Sequence, residues 1–132
     1  MPQLQWNLQI KTTDGLKSGI AGNVDVDATG KIEKTLPAKT NGGSTTTIAV
    51  QPGDTDKMEA LVIYASKYDD KVTYKVSDET GDGVTGVTLD GPQILIGQGA
   101  VGLLQKPPKT IEFTNALSED VTVTILVARL AS

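Results

Sequence analysis

The 132-residue sequence predicts an all-β protein: a single domain spanning 1–132, an antiparallel β-sandwich, jelly-roll-like, with about eight strands. Three observations carry this. Apolar residues recur at every second position, the spacing of a strand with one buried face, rather than at helical spacing. Turn residues interrupt those runs roughly every 8–12 positions. No stretch reads as a long amphipathic helix. Strong first and last strands suit a jelly roll, in which the termini can pair within one sheet. An immunoglobulin-like sandwich is the alternative, without the Cys–Trp–Cys framework that marks some of its members.

Leu4, Trp6, Leu8 and Ile10 alternate with Gln5, Asn7 and Gln9, which predicts a strand with one wet face. Thr13-Asp14-Gly15 is a turn, Val24 to Asp27 a short alternating piece, and Ile32, Lys34 and Leu36 carry the next strand up to Pro37. Ala38 to Thr47 is polar and rich in Gly and Thr, a flexible loop, and Ile48 to Val50 is a short strand stopped by Pro52-Gly53. Asp54 to Tyr68 is ambiguous. Asp56 and Glu59 have capping-box spacing, and Met58, Leu61, Val62 and Ala65 would share a helical face, yet Leu61-Val62-Ile63-Tyr64 is β-branched and aromatic. The balance favours a strand from about Ala60 to Ser66.

Tyr68 to Lys71 then turns the chain into Val72, Tyr74 and Val76, and Asp78 to Gly86 is a second polar loop. Val87 to Leu89 and Gln93 to Ile96 are short strands, and Lys106-Pro107-Pro108 is an extended connector. Ile111 and Phe113 mark the next strand, and Asn115 to Ser118 a turn. The last strand sets Val121, Val123, Ile125 and Val127 on one face and Thr122, Thr124, Leu126 and Ala128 on the other. Its apolar far half predicts a central place in a sheet or contact with a partner subunit.

The composition removes whole classes of chemistry. There is no Cys and no His, hence no thiolate nucleophile, no Ser–His–Asp triad and none of the commonest zinc ligands. Lys and Arg number 12 against 16 Asp and Glu, a net charge of −4, which argues against a nucleic-acid partner. The start, Met1 to Trp6, has no basic segment leading into an apolar one, so no secretory signal is expected. The longest apolar run, Ile125 to Ala128, is too short for a bilayer, and no membrane partner is expected.

Three strings invite chemical readings. Gly97 to Gly102 matches G-x-G-x-x-G, but too few residues separate it from Pro107 for a crossover helix, so a glycine-punctuated strand pair or bulge is expected. Asp78 to Gly83 resembles the start of a calcium loop, with Asp78, Asp82 and Asp90 as candidate ligands; Leu89 stands where the bidentate acid belongs, so a solvated acidic turn is expected and no cofactor is assigned. The pairs Asp25/Asp27 and Asp54/Asp56 have the spacing to share a strand face, as glycosidase chemistry would require. Of the aromatics, Tyr68 is expected in solvent, with Trp6, Tyr64, Tyr74 and Phe113 in strand cores. No catalytic residues are assigned. An exposed Tyr68 leaves a glycan-binding tail, fibre or adhesion module as the alternative function.

The last third runs through Leu89 to Pro92, Gly97 to Gly102, Thr110 to Asn115 and Asp120 to Arg129. With the small, acidic, Thr- and Gly-rich profile of the whole, it resembles the small jelly-roll cement or decoration proteins on capsids of tailed bacteriophages. The resemblance implies a non-enzymatic virion protein, assembled in the host cytoplasm. It would bind the major capsid protein, or another virion protein, as a dimer or trimer and reinforce the shell. No family residues carry over. The sequence's own candidates for an interface are Leu126, Ala128, Arg129 and Leu130 of the final strand, with Asn41, Gly42 and Gly43 of the first flexible loop.

Overall fold

The computed structural model describes residues 3–39, 45–50, 58–106 and 108–130. Strands β1 (Gln3–Lys11) and β2 (Lys17–Asp25) form a hairpin that is a sheet of its own, paired from Gln3 opposite Asp25 to Lys11 opposite Lys17. At its tip the Thr12 N–H donates to Leu16 O (2.8 Å), and Gly15 takes a φ of 109°, a region open to glycine but strained for other residues.

The remaining strands make two antiparallel sheets. One has the order β3 (Ala28–Leu36), β11 (Val121–Arg129), β5 (Met58–Ala65), β9 (Gln93–Ile96). The other has the order β4 (Thr45–Ala49), β10 (Thr110–Asn115), β6 (Val72–Asp78), β7 (Gly81–Asp82), with β8 (Val87–Thr88) also beside β6. Their inward faces close one core: Leu36, Leu61, Ile63, Val123 and Ile125 from the first meet Ile48, Val72, Tyr74, Val76, Ile111 and Phe113 from the second. Tyr74 and Phe113, opposite each other on β6 and β10, pack with tilted rings whose centroids lie 5.7 Å apart, and burial pushes the Tyr74 hydroxyl above its ordinary pKa.

The strand reading of the ambiguous segment holds in its described part. Met58–Ala65 lies between β11 and β9, where β-branched side chains fit the pleat better than a helix would accept them. Asp56 and the capping-box geometry fall outside the described residues. The final strand is central, as its two apolar faces require, flanked by β3 and β5.

Five expectations need correction. The first strand does not pair with the last; β1 pairs with β2, and β11 takes β3. Lys17 to Asn23, which carries no strand signal in sequence, is most of β2. A polar and glycine-containing segment can hold this shape because a turn of only five residues joins it to its partner strand. Thr45 to Thr47 of the first loop belongs to β4, where threonine suits the half-exposed surface.

The stretch Asp78 to Gly86, expected as a polar loop, contains β7 and is tied to its neighbours by backbone hydrogen bonds. Gly83 donates to Val76 O (2.7 Å), Val84 donates to Leu104 O (3.0 Å), and Val76 donates to Val84 O (3.0 Å). Gly97 to Gly102 is not a strand bulge. It opens a one-turn helix, α1 (Gln98–Val101), followed by a 3-10 turn at Gly102–Leu104 that seats Val101 and Leu104 in the core.

Asn115 ends β10 with its side chain buried. Its Nδ2 donates to the carbonyls of Leu36 (3.1 Å), Pro37 (3.3 Å) and Glu119 (3.0 Å), and its Oδ1 accepts from Leu117 N–H (3.0 Å). One side chain thereby ties the end of β3 to the turn before β11.

Candidate interaction surface

The register of the hairpin sorts its side chains onto two faces, because residues opposite each other point to the same side. One face carries Gln3 opposite Asp25, Gln5 opposite Asn23 and Lys11 opposite Lys17. Its amides are linked: Gln3 Nε2 donates to Asp25 Oδ1 (3.3 Å) and Gln5 Nε2 to Gln3 Oε1 (2.9 Å). The other face carries Leu4 opposite Val24, Trp6 opposite Gly22, Leu8 opposite Ile20, and Ile10 opposite Ser18. The Trp6 indole lies so close over Gly22 that a Cβ there would sit 2.5 Å from its Cζ2. Glycine is thus the residue this ring position accommodates.

Only the root of this apolar face is covered. Leu4 and Val24 pack on a small second core of Val26, Ala60 and Ala128 at the outer face of the first sheet. Beyond it the stripe runs into solvent, with Ile10 and Ile20 60% and 59% exposed. The outer sheet face continues the same chemistry. Leu126 on β11 stands opposite Val62 on β5, and Val62 opposite Ile94 on β9, an apolar row across three strands, with Leu126 and Ile94 37% and 41% exposed. Between root and row lies an apolar cleft of about 320 Å³ walled by Leu4, Ala60, Val62, Leu126 and Ala128.

Among the interface candidates read from the final strand, Leu126 faces solvent on this sheet. Ala128 does not: at 1% exposure it is buried beneath the chain's own hairpin root, where its small side chain admits Leu4 and Val24. Arg129 and Leu130 are half-buried at the strand end, where Arg129 O accepts from Asp27 N–H (3.0 Å). Asn41, Gly42 and Gly43 lie outside the described residues.

The strings with chemical readings have other occupations. Asp78 accepts from both the hydroxyl (2.6 Å) and the N–H (2.8 Å) of Thr80, which hold its carboxyl below its ordinary pKa. Glu79 pairs with Lys109 (2.7 Å), Asp82 approaches Lys75 (3.6 Å), and Lys106 donates to Thr80 Oγ1 (2.8 Å). Lysines stand where a calcium reading would want a cation, and no cluster of three or more His, Cys, Asp or Glu fit to hold a metal occurs among the described residues. Asp25 and Asp27 do not share a strand: β2 ends at Asp25, and buried Val26 turns the chain between them. Asp54 and Asp56 lie outside the described residues.

Tyr68 is half-exposed, and its hydroxyl accepts from Ala65 N–H (3.3 Å). Tyr64, expected in the core, faces outward from β5, while Trp6 sits on the hairpin rather than between the sheets.

Ile20, Tyr64 and Ile94 escape sequence reading as surface residues. For Ile20 a signal exists: folding the chain about Asp14 sets Leu8 opposite Ile20 and Leu4 opposite Val24. Comparison of the chain with protein-family models, curated proteins and solved structures gave no match.

Proposed function

We propose that this chain is a non-enzymatic structural protein acting through protein–protein contact, of the kind represented by the cement and decoration proteins of tailed-phage capsids. Its partner would be the major capsid protein or another virion protein, and its place the virion. The observation that carries the reading is the apolar surface formed by the hairpin stripe and the Val62–Leu126–Ile94 row. Contiguous apolar surface of this kind marks a site of association. A rigid sandwich bearing such a surface is suited to many repeated weak contacts on a symmetric shell.

The strand orders support the jelly-roll reading. From β3 onward the chain passes between the sheets at β3 to β4, β4 to β5, β5 to β6, β8 to β9, β9 to β10 and β10 to β11. With the two-residue β7 set aside, the eight strands left from β3 to β11, the first and last paired, fit a jelly roll to which the hairpin is added. The test is co-sedimentation with expanded capsids of the virus that encodes the chain. Binding that raises the capsid disruption temperature is the expected result, and failure to bind refutes the proposal.

The two outward tyrosines, Tyr64 and Tyr68, favour a second reading, a glycan-binding tail module. It predicts saturable sugar binding on a glycan array, weakened by Tyr68→Ala, and a blank array removes it.

A further inference from the structure

We propose that two copies of this chain exchange hairpins: the apolar stripe of β1–β2 in one copy lies across the outer face of the β3-β11-β5-β9 sheet in the other, and reciprocally about a two-fold axis. This pairing stands whether or not a capsid is the larger partner.

The chain already makes the first part of this contact with itself. At the hairpin root, Leu4 and Val24 pack on Ala60 and Ala128 of the outer sheet face. The start of the stripe therefore fits the start of the sheet face. Both surfaces continue past that contact in the same chemistry, the stripe through Trp6, Leu8, Ile10 and Ile20, the sheet through Val62, Leu126 and Ile94. A chain anchored at its own root leaves its distal stripe and its own apolar row in solvent, and a second copy covers both at once. The arrangement is isologous, so it closes at two copies.

The area is sufficient. The distal six residues of each hairpin strand extend about 20 Å, and two strands with their side chains are about 10 Å wide. With side-chain relief, such a face offers on the order of 300 Å² of accessible surface. Two stripes and the two sheet patches they cover bury about 1,200 Å², the lower bound of stable, specific interfaces.

The full chain should sediment as a dimer at tens of micromolar and dissociate on dilution. Ile20→Asp on the hairpin and Ile94→Lys on the sheet edge replace exposed side chains, so both should keep the native circular dichroism spectrum. Each should raise the dissociation constant at least about tenfold, a loss of about 1.4 kcal/mol. Because the chain has no cysteine, an equimolar mixture of Ile20→Cys and Ile94→Cys chains, oxidised under mild conditions, should give the mixed disulfide dimer in preference to either like pair. A wild-type chain that stays monomeric at hundreds of micromolar overturns the proposal. So does a dimer indifferent to either substitution, or one cross-linked only hairpin to hairpin.

Discussion

Replacing Asn115 by alanine removes a buried hub while leaving every apolar core residue in place. The amide has two N–H groups for three carbonyl acceptors, Leu36, Pro37 and Glu119, so one N–H is shared, and its oxygen holds the Leu117 N–H. Counting two donors and one acceptor at about 1 kcal/mol net each gives a loss of about 3 kcal/mol. That is a large part of the roughly 5–15 kcal/mol that holds a domain together. For a chain of this length, about 3 kcal/mol corresponds to a fall of about 10 °C in Tm.

Asn115→Asp sharpens the test. It keeps shape and acceptor but cannot donate when ionised, and it directs a carboxylate at three carbonyl oxygens, so at neutral pH it should cost at least as much as alanine. Urea unfolding followed by circular dichroism is the suitable assay, because Trp6 sits on the hairpin and its fluorescence reports that element rather than the core. An Asn115→Ala chain less than about 1 kcal/mol weaker than wild type, or an Asn115→Asp chain as stable as wild type, would refute the assignment of this side chain as the tie between β3 and β11.

Gly83→Ala should destabilise by about 1–3 kcal/mol in the same assay, because its Cβ would fall 2.3 Å from Leu104 O and 2.9 Å from Lys106 N, both backbone atoms. Phe113→Ala, at a fully buried site, should cost about 3–5 kcal/mol, whereas Ile10→Ser at the exposed hairpin end should leave Tm within about 2 °C at dilutions where the chain is monomeric. The lowered folded-state pKa values of Asp78 and Glu79, set first by hydrogen bonds from Thr80 and Lys109, contribute stability above the ordinary carboxylate range and lose it as pH falls through the folded values. Melting curves from about pH 5 to about pH 2 should therefore show a smaller acid-induced fall for Asp78→Asn than for wild type.

Strands that bury a face were legible in the sequence, because water enforces the period of two: Val72 to Val76, Ile111 to Phe113 and Val121 to Val127 stand where alternation placed them. The pairing was legible only in part. Two apolar faces put the last strand at a sheet centre, but nothing local distinguished β3 from β1 as its neighbour. β2 escaped because Lys17 to Asn23 buries too little to need a pattern. The role of Asn115 escaped for a related reason: an asparagine after a strand reads as a turn former, and only the folded chain brings three carbonyls to it. On the surface, the alternation of Leu4 to Ile10 was clear, but its meaning was not. The same pattern describes a strand packed on a core and a hairpin face left largely in solvent.

The proposed role, a structural part working by contact, is checked by titrating the chain onto expanded capsids and measuring bound copies per shell together with the shell disruption temperature. Saturation at a fixed stoichiometry set by shell symmetry is expected, with copies bound in pairs and the disruption temperature raised as sites fill. A chain that stays in the supernatant at tens of micromolar, or binds without saturating and leaves the disruption temperature unchanged, contradicts it.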